Sequence, residues 1–168
     1  MHDGDFEIDI LDQQGNIVGS KLRRDVVKGK DIYHAVYCVL ITPDDRLAVS
    51  RIANRPDLPN LHAGSLGCTA ATIRRTGETG DQAMQRALAG ELGLKSQPEL
   101  LSEEVIAVDN TYRKIGLYKV VAKVPETYSQ QDIDEIVSYS KEEFAQLLDS
   151  EPEKVTPLLK RFFINFCN

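Results

Sequence analysis

No run of eighteen apolar residues occurs in the sequence, so no membrane-spanning helix is expected. The opening MHDGDFEIDI is acidic where a secretory leader would be basic and then greasy, which points to a cytoplasmic protein. Cysteine is scarce and odd in number: Cys38, Cys68 and Cys167 lie far apart without a C-x-x-C spacing. Reduced thiols follow from that, rather than a disulfide framework or a zinc site. Positive charge is also short. The formal net charge of −6 disfavours a polymeric nucleic-acid partner, although Lys21, Arg23, Arg24, Lys28 and Lys30 form one local basic cluster compatible with a small phosphorylated ligand. Repeats and low-complexity tracts are missing too. What is present, 168 residues at 42% apolar composition, suffices for one well-buried core, and a single domain over 1–168 is expected.

Phe6, Ile8 and Ile10 alternate with Glu7 and Asp9, the period of a half-buried strand. A turn at Asp12 to Asn16 and a returning strand from Ile17 to Leu22 complete an N-terminal hairpin within residues 1–30. Ile32 to Ile41 is nearly continuously apolar, as a strand covered on both faces would be, and Arg46 to Arg51 follows it after the turn at Pro43. A loop is expected over Asn54 to Gly64, which carries Pro56 and Pro59, then a strand from Ser65 to Ile73. Later strands are expected at Glu104 to Val108, Lys114 to Val124 and Ile133 to Tyr139. A helix capped by Ser140 spans Lys141 to Leu148, and a strongly amphipathic one spans Val155 to Phe166.

The most informative stretch is GETGDQAMQRALAGELGL, Gly77 to Leu94. Thr79 with Gln82 makes a capping box, Met84, Leu88 and Leu92 repeat on one face, and Gly93 supplies a left-handed terminator. The spacing predicts a helix over about Gly80 to Leu92. Ala83, Ala87 and Gly90 form a small-residue stripe, which fits either a widened pocket or a helix pressed against a strand.

This stretch resembles the Nudix box, G-x5-E-x7-R-E-U-x-E-E-x-G-U with U a bulky aliphatic. Glu78, Arg86, Leu88, Glu91, Gly93 and Leu94 match the pattern, whereas Thr72, Ala87 and Gly90 replace its first glycine and two of its helix glutamates. The resemblance covers nearly the whole chain. It implies an α+β Nudix fold, a mixed β-sheet sandwiched between helices, with residues 31–168 as the core. DILDQQGNIVGSKLRRDVV followed by IYHAVYCVLI is similar to the N-terminal extension of the subgroup that includes isopentenyl-diphosphate isomerase and its bacterial hydrolase relatives.

In that family the helix glutamates hold the divalent metal that bridges a substrate diphosphate. The resemblance therefore implies Mg2+ or Mn2+ as cofactor, with Glu91 and Glu78 as its remaining ligands and Arg86 orienting them. It implies diphosphate contacts at Arg51, and Arg74 and Arg75 add positive charge at the rim near the box. Asp132, Asp134 and Glu135 are base candidates, because the loop before the final strand lies beside the pocket in many relatives. His34 falls where the isomerase has a metal-binding histidine, but Ala71 and Ile73 stand where its cysteine and second histidine belong. Three functions stay open: hydrolysis of a nucleoside diphosphate derivative or other organic diphosphate, non-catalytic binding of a ligand or protein, and isomerase-like proton transfer. The oligomeric state is open as well, with a homodimer among the options.

Overall fold

The computed structural model describes residues 5–56 and 60–167. Residues 1–4 of the expected extension, 57–59 of the expected loop and residue 168 lie outside the described residues. The hairpin pairs β1 (Glu7–Leu11) antiparallel with β2 (Ile17–Leu22). Its turn is closed by Asp12, whose Oδ1 accepts from the backbone N–H of Gln14 and of Asn16, both at 2.9 Å. Ile8 and Ile10 are buried as the alternation predicts, and they share a cluster with Tyr33, Ile115, Leu117 and Leu158 of the main body. Asp9 departs from the pattern, because it is buried and accepts from Arg74 at 2.6 Å. An ion pair holds the carboxylate inside, which polarity alone could not foretell.

The main sheet is built on β3 (His34–Ile41). Along its whole length β3 runs parallel to β8 (Thr111–Val121), which pairs antiparallel with β7 (Glu99–Val108). On its other side two strands divide β3 between them. Residues 35–38 pair with β6 (Ala70–Ile73), and only Leu40 and Ile41 pair with β4 (Leu47–Ile52). Strand β4 then leaves β3 to pair with β5 (Leu66–Gly67) and β9 (Ile133–Tyr139). Thr69 wedges the fork: its hydroxyl accepts from Leu40 N–H and donates to the Ala48 carbonyl, while its own carbonyl accepts from Ser50 Oγ at 2.8 Å. The single strand expected over Ser65 to Ile73 is thus two short ones hinged at this threonine. Strand β7 also starts at Glu99, earlier than expected, because a register shift between Leu100 and Ser102 breaks the alternation that marks a strand in sequence.

Among the described residues, three α-helices cover the sheet. Helix α1 (Gly80–Leu92) has the predicted ends, with the Thr79–Gln82 capping box formed and Gly93 at φ 64°. It buries Ala83, Met84, Ala87, Leu88 and Leu92 against Val36, Cys38, Leu40 and Tyr118, and each large side chain so buried contributes about 1.5–3 kcal/mol. On the opposite face, α2 (Lys141–Ser150) and α3 (Pro157–Phe166) pack Phe144, Leu159, Phe162 and Phe163 against Val39, Leu47, Val49 and Leu66. Helix α3 starts two residues later than expected. Thr156 caps it and Pro157 takes the first turn, while Val155 forms a bridge with Leu66 instead. The result is the expected mixed sheet between helices. Among the described residues, no helix is long and apolar enough to cross a membrane.

Candidate functional site

Where β4 leaves β3, the sheet opens on a cavity of about 540 Å³, a volume typical of small-molecule sites. Ser50 and Ile52 of β4, Cys68 to Ala71 and Ile133 line its middle. Its two ends differ in charge.

At one end stand Glu91, from the last turn of α1, and Asp132, just before β9. A Glu91 carboxylate oxygen accepts from Ala71 N–H at 3.1 Å, and the Glu91 carbonyl accepts from Ser129 N–H at 2.8 Å, which ties the loop carrying Asp132 to the helix. Burial above all pushes the Glu91 carboxyl up to about 8; the Ala71 N–H opposes this and the charge of Asp132 adds to it. The free cavity therefore holds a carboxyl that titrates close to neutral pH.

At the other end Arg23 and Lys28, from the extension, meet Tyr33 just before β3, Tyr37 of β3 and Arg113 of β8. The Arg23 and Arg113 guanidinium carbons lie 5.7 and 5.1 Å from the centre of the Tyr33 ring. Asp31, also in the wall, does not offset these cations. Its carboxylate binds Lys21 at 2.8 Å and Val27 N–H at 2.7 Å, interactions that hold it below the usual carboxylate range. Arg113 Nε is buried without a hydrogen-bond partner. On the rim, His62 Nε2 lies 2.9 and 3.1 Å from the carboxylate oxygens of Asp109.

The expected site residues divide sharply. Of the box residues expected in the site, only Glu91 is on the cavity wall. Glu78 is half-buried and taken up by its own loop: it accepts from Arg86 at 2.7 and 3.0 Å and from Arg75 N–H at 2.9 Å. Burial alone would raise its carboxyl, but those hydrogen bonds and the Arg86 charge outweigh burial and lower it. Arg86 also donates to Thr72 Oγ1 and to the Ile73 carbonyl, so it fastens the box loop to β6. Glu78 does not line the cavity, and the Arg86 that binds it also lowers the Glu91 carboxyl through its charge.

None of the three expected diphosphate contacts lines the cavity either. Arg51 pairs with Glu135 at 2.7 Å and with the Gly64 carbonyl, Arg74 pairs with Asp9, and Arg75 stacks 4.6 Å above Phe6. The arginines that do line it, Arg23 and Arg113, come from elsewhere. The first belongs to the basic cluster visible in the sequence; the second carries no local signal. Among the base candidates, Asp134 and Glu135 are exposed and off the wall, and Asp132 is on it. His34 lies under the first turn of α1, where a β-carbon on Gly80 would come 3.4 Å from its Cε1, and it does not line the cavity. The stripe on α1 also divides: Ala83 and Ala87 pack against the sheet, whereas Gly90 faces open space.

No family model matches the chain. A curated protein described as an uncharacterized Nudix hydrolase of Yersinia pestis is 24% identical over 143 residues, spanning 84% of this chain and 77% of that protein. Two solved structures share the fold. DR0079 from Deinococcus radiodurans has TM-score 0.74 at 17% identity over 93% of this chain and 96% of its own. A Nudix hydrolase from Nitrosomonas europaea has TM-score 0.59 at 19% identity over 81% and 88%. The chain shares its fold with a Nudix hydrolase structure and is similar in sequence to a protein described as a Nudix hydrolase. Nudix proteins generally use divalent metals. Here the donor set is small: among the described residues, no three of His, Cys, Asp and Glu gather to hold an ion unaided. Glu91 and Asp132, whose mutual repulsion a cation would relieve, suit at most one ion completed by phosphate oxygens and water. Asp132, rather than Glu78, lines the cavity together with Glu91.

Proposed function

We propose that this protein hydrolyses a small organic diphosphate, such as a nucleoside diphosphate derivative, held in the forked-sheet cavity. The observation that carries the reading is the placement of Glu91, the one box carboxylate on the cavity wall, in the same cavity as Arg23, Lys28 and Arg113. Guanidinium forks match phosphate oxygens and neutralise them without a cluster of metals. One magnesium or manganese ion, bound by Glu91 and Asp132 together with substrate, would add to that neutralisation. Glu91 itself, with a carboxyl at about 8, can hold or release a proton at neutral pH, the condition that suits a general acid or base.

A second reading rests on Ala87 and Gly90. The first is packed into the core and the second faces open space, so neither supplies the helix carboxylates of the full box. A module that binds a phosphorylated ligand without cleaving it would need no more than the cationic end. The test is cleavage of a panel of organic diphosphates with magnesium or manganese, wild type beside Glu91→Gln, together with binding of methylene-bridged analogues. Turnover lost in Glu91→Gln supports hydrolysis. Tight analogue binding with no turnover of any diphosphate contradicts it and leaves the binding module.

A further inference from the structure

A site with so few carboxylates has little metal with which to ionise water, so the attacking water needs a base, and the cavity wall offers one besides Glu91. His62 and Asp109 both line that wall, and the ring Nε2 is within 2.9 Å of the Asp109 carboxylate. Their positions are fixed from both sides. Asn60 Oδ1 accepts from His62 N–H at 2.8 Å, and the His62 carbonyl accepts from Ser65 N–H at 3.0 Å, so the residue is pinned in a tight turn. Asp109 and Asn110 are the two-residue turn between β7 and β8, both left-handed at φ 52° and 64°. A tight hairpin requires that geometry, and Asp and Asn tolerate it better than most residues, so the turn holds the Asp109 carboxylate at the rim.

We infer that His62, oriented by Asp109, is the base that takes the proton from the attacking water; this rests on the hydrolytic reading above. With Nε2–H donating to Asp109, Nδ1 carries the lone pair. Water oxygen forms a bond to one phosphorus as its proton passes to Nδ1. The bridging P–O bond breaks, and its electron pair departs with the leaving phosphate. Asp109 stabilises the imidazolium, which returns its proton to solvent. An imidazole held by a carboxylate is a recurrent proton-transfer device. The charged groups sharing the cavity with the ring are the cations of Arg23, Lys28 and Arg113 and the carboxyls of Asp31, Glu91 and Asp132.

The test is the pH profile of kcat/KM for wild type, His62→Gln, His62→Ala and Asp109→Asn, with imidazole added to the alanine variant and thermal unfolding recorded for each. The expected result is a loss on the order of 100-fold in both histidine variants, a flattened acid limb, and partial rescue of His62→Ala by imidazole. Activity of His62→Gln within threefold of wild type, while Glu91→Gln is inactive, overturns the role of the dyad and leaves hydrolysis standing. A loss that imidazole does not restore in folded protein also overturns it, because the pair would then only brace the loop. No turnover by wild type at any pH overturns both.

Discussion

Glu78 and Glu91 belong to the same box and flank the same helix, yet their surroundings are opposite. Glu78 is enclosed by donors: Arg86 and the Arg75 N–H satisfy its carboxylate and stabilise its charge. Glu91 receives one backbone N–H, stands near another carboxylate, and is driven toward its neutral form. The arginines divide in the same way. Arg86 is hydrogen-bonded to Glu78, Thr72 and Ile73 and reaches Glu91 only through its charge, whereas Arg113 reaches the cavity with Nε buried and unpartnered. A motif residue whose bonding is complete holds the fold; one left electrostatically uncompensated beside a cavity is available for chemistry.

The largest effect expected from this contrast is on turnover. Glu91→Gln should lower kcat by about 100-fold or more, on the order of 3 kcal/mol in the barrier, in a steady-state assay of diphosphate cleavage. Comparable turnover in both proteins would remove Glu91 from the site. Breaking the closed half should act on stability instead. Arg86→Met strands the Glu78 carboxylate and severs two further hydrogen bonds, and urea unfolding should show a loss of about 2 kcal/mol, reduced from the fully buried case because both side chains keep some exposure. Adding Glu78→Gln to that variant should recover part of the loss.

A smaller effect is expected at the cationic end. Arg113→Ala should raise KM roughly tenfold, about 1.4 kcal/mol, with a lesser change in kcat, because it removes binding rather than proton transfer. Arg51→Ala, at a position the box resemblance favoured, should leave KM within about twofold, and that contrast would separate a cavity arginine from a paired one. Smallest is a shift in pH-dependent stability. The Glu91 carboxyl is higher in the folded chain than in the unfolded one, so the folded state binds the extra proton and stability falls as pH rises from about 4.5 to about 8. Glu91→Gln removes that dependence. Its melting temperature should gain on wild type by a few degrees between pH 5 and pH 8, on the order of 1 kcal/mol once water entering the cavity is allowed for.

Much of the architecture was legible because it depends on local signals. The ends of α1 follow from Thr79, Gln82 and Gly93, and the hairpin from the Asp12 turn. What escaped depends on tertiary pairing. The fork at Thr69 is set by hydrogen bonds to Leu40 and Ala48, residues far away in sequence, so one expected strand became two. The site was legible at Glu91 and Asp132, and in outline at the basic cluster that supplies Arg23 and Lys28. Arg51, Arg74 and Arg75 carry the right charge near the box, but Glu135, Asp9 and the Phe6 ring take them up. Arg113, His62 and Asp109 converge only when the β7–β8 turn meets the loop before β5, an event no local pattern records.

The central claim is that Glu91 sits in the cavity as a carboxyl poised to exchange a proton near neutral pH. Its most direct measurement is a carbon-13 NMR titration of the glutamate side-chain carboxyls in wild type and Glu91→Gln. The account predicts one resonance with a midpoint near 8 that is missing from the variant. Midpoints below about 5 for every glutamate would contradict it.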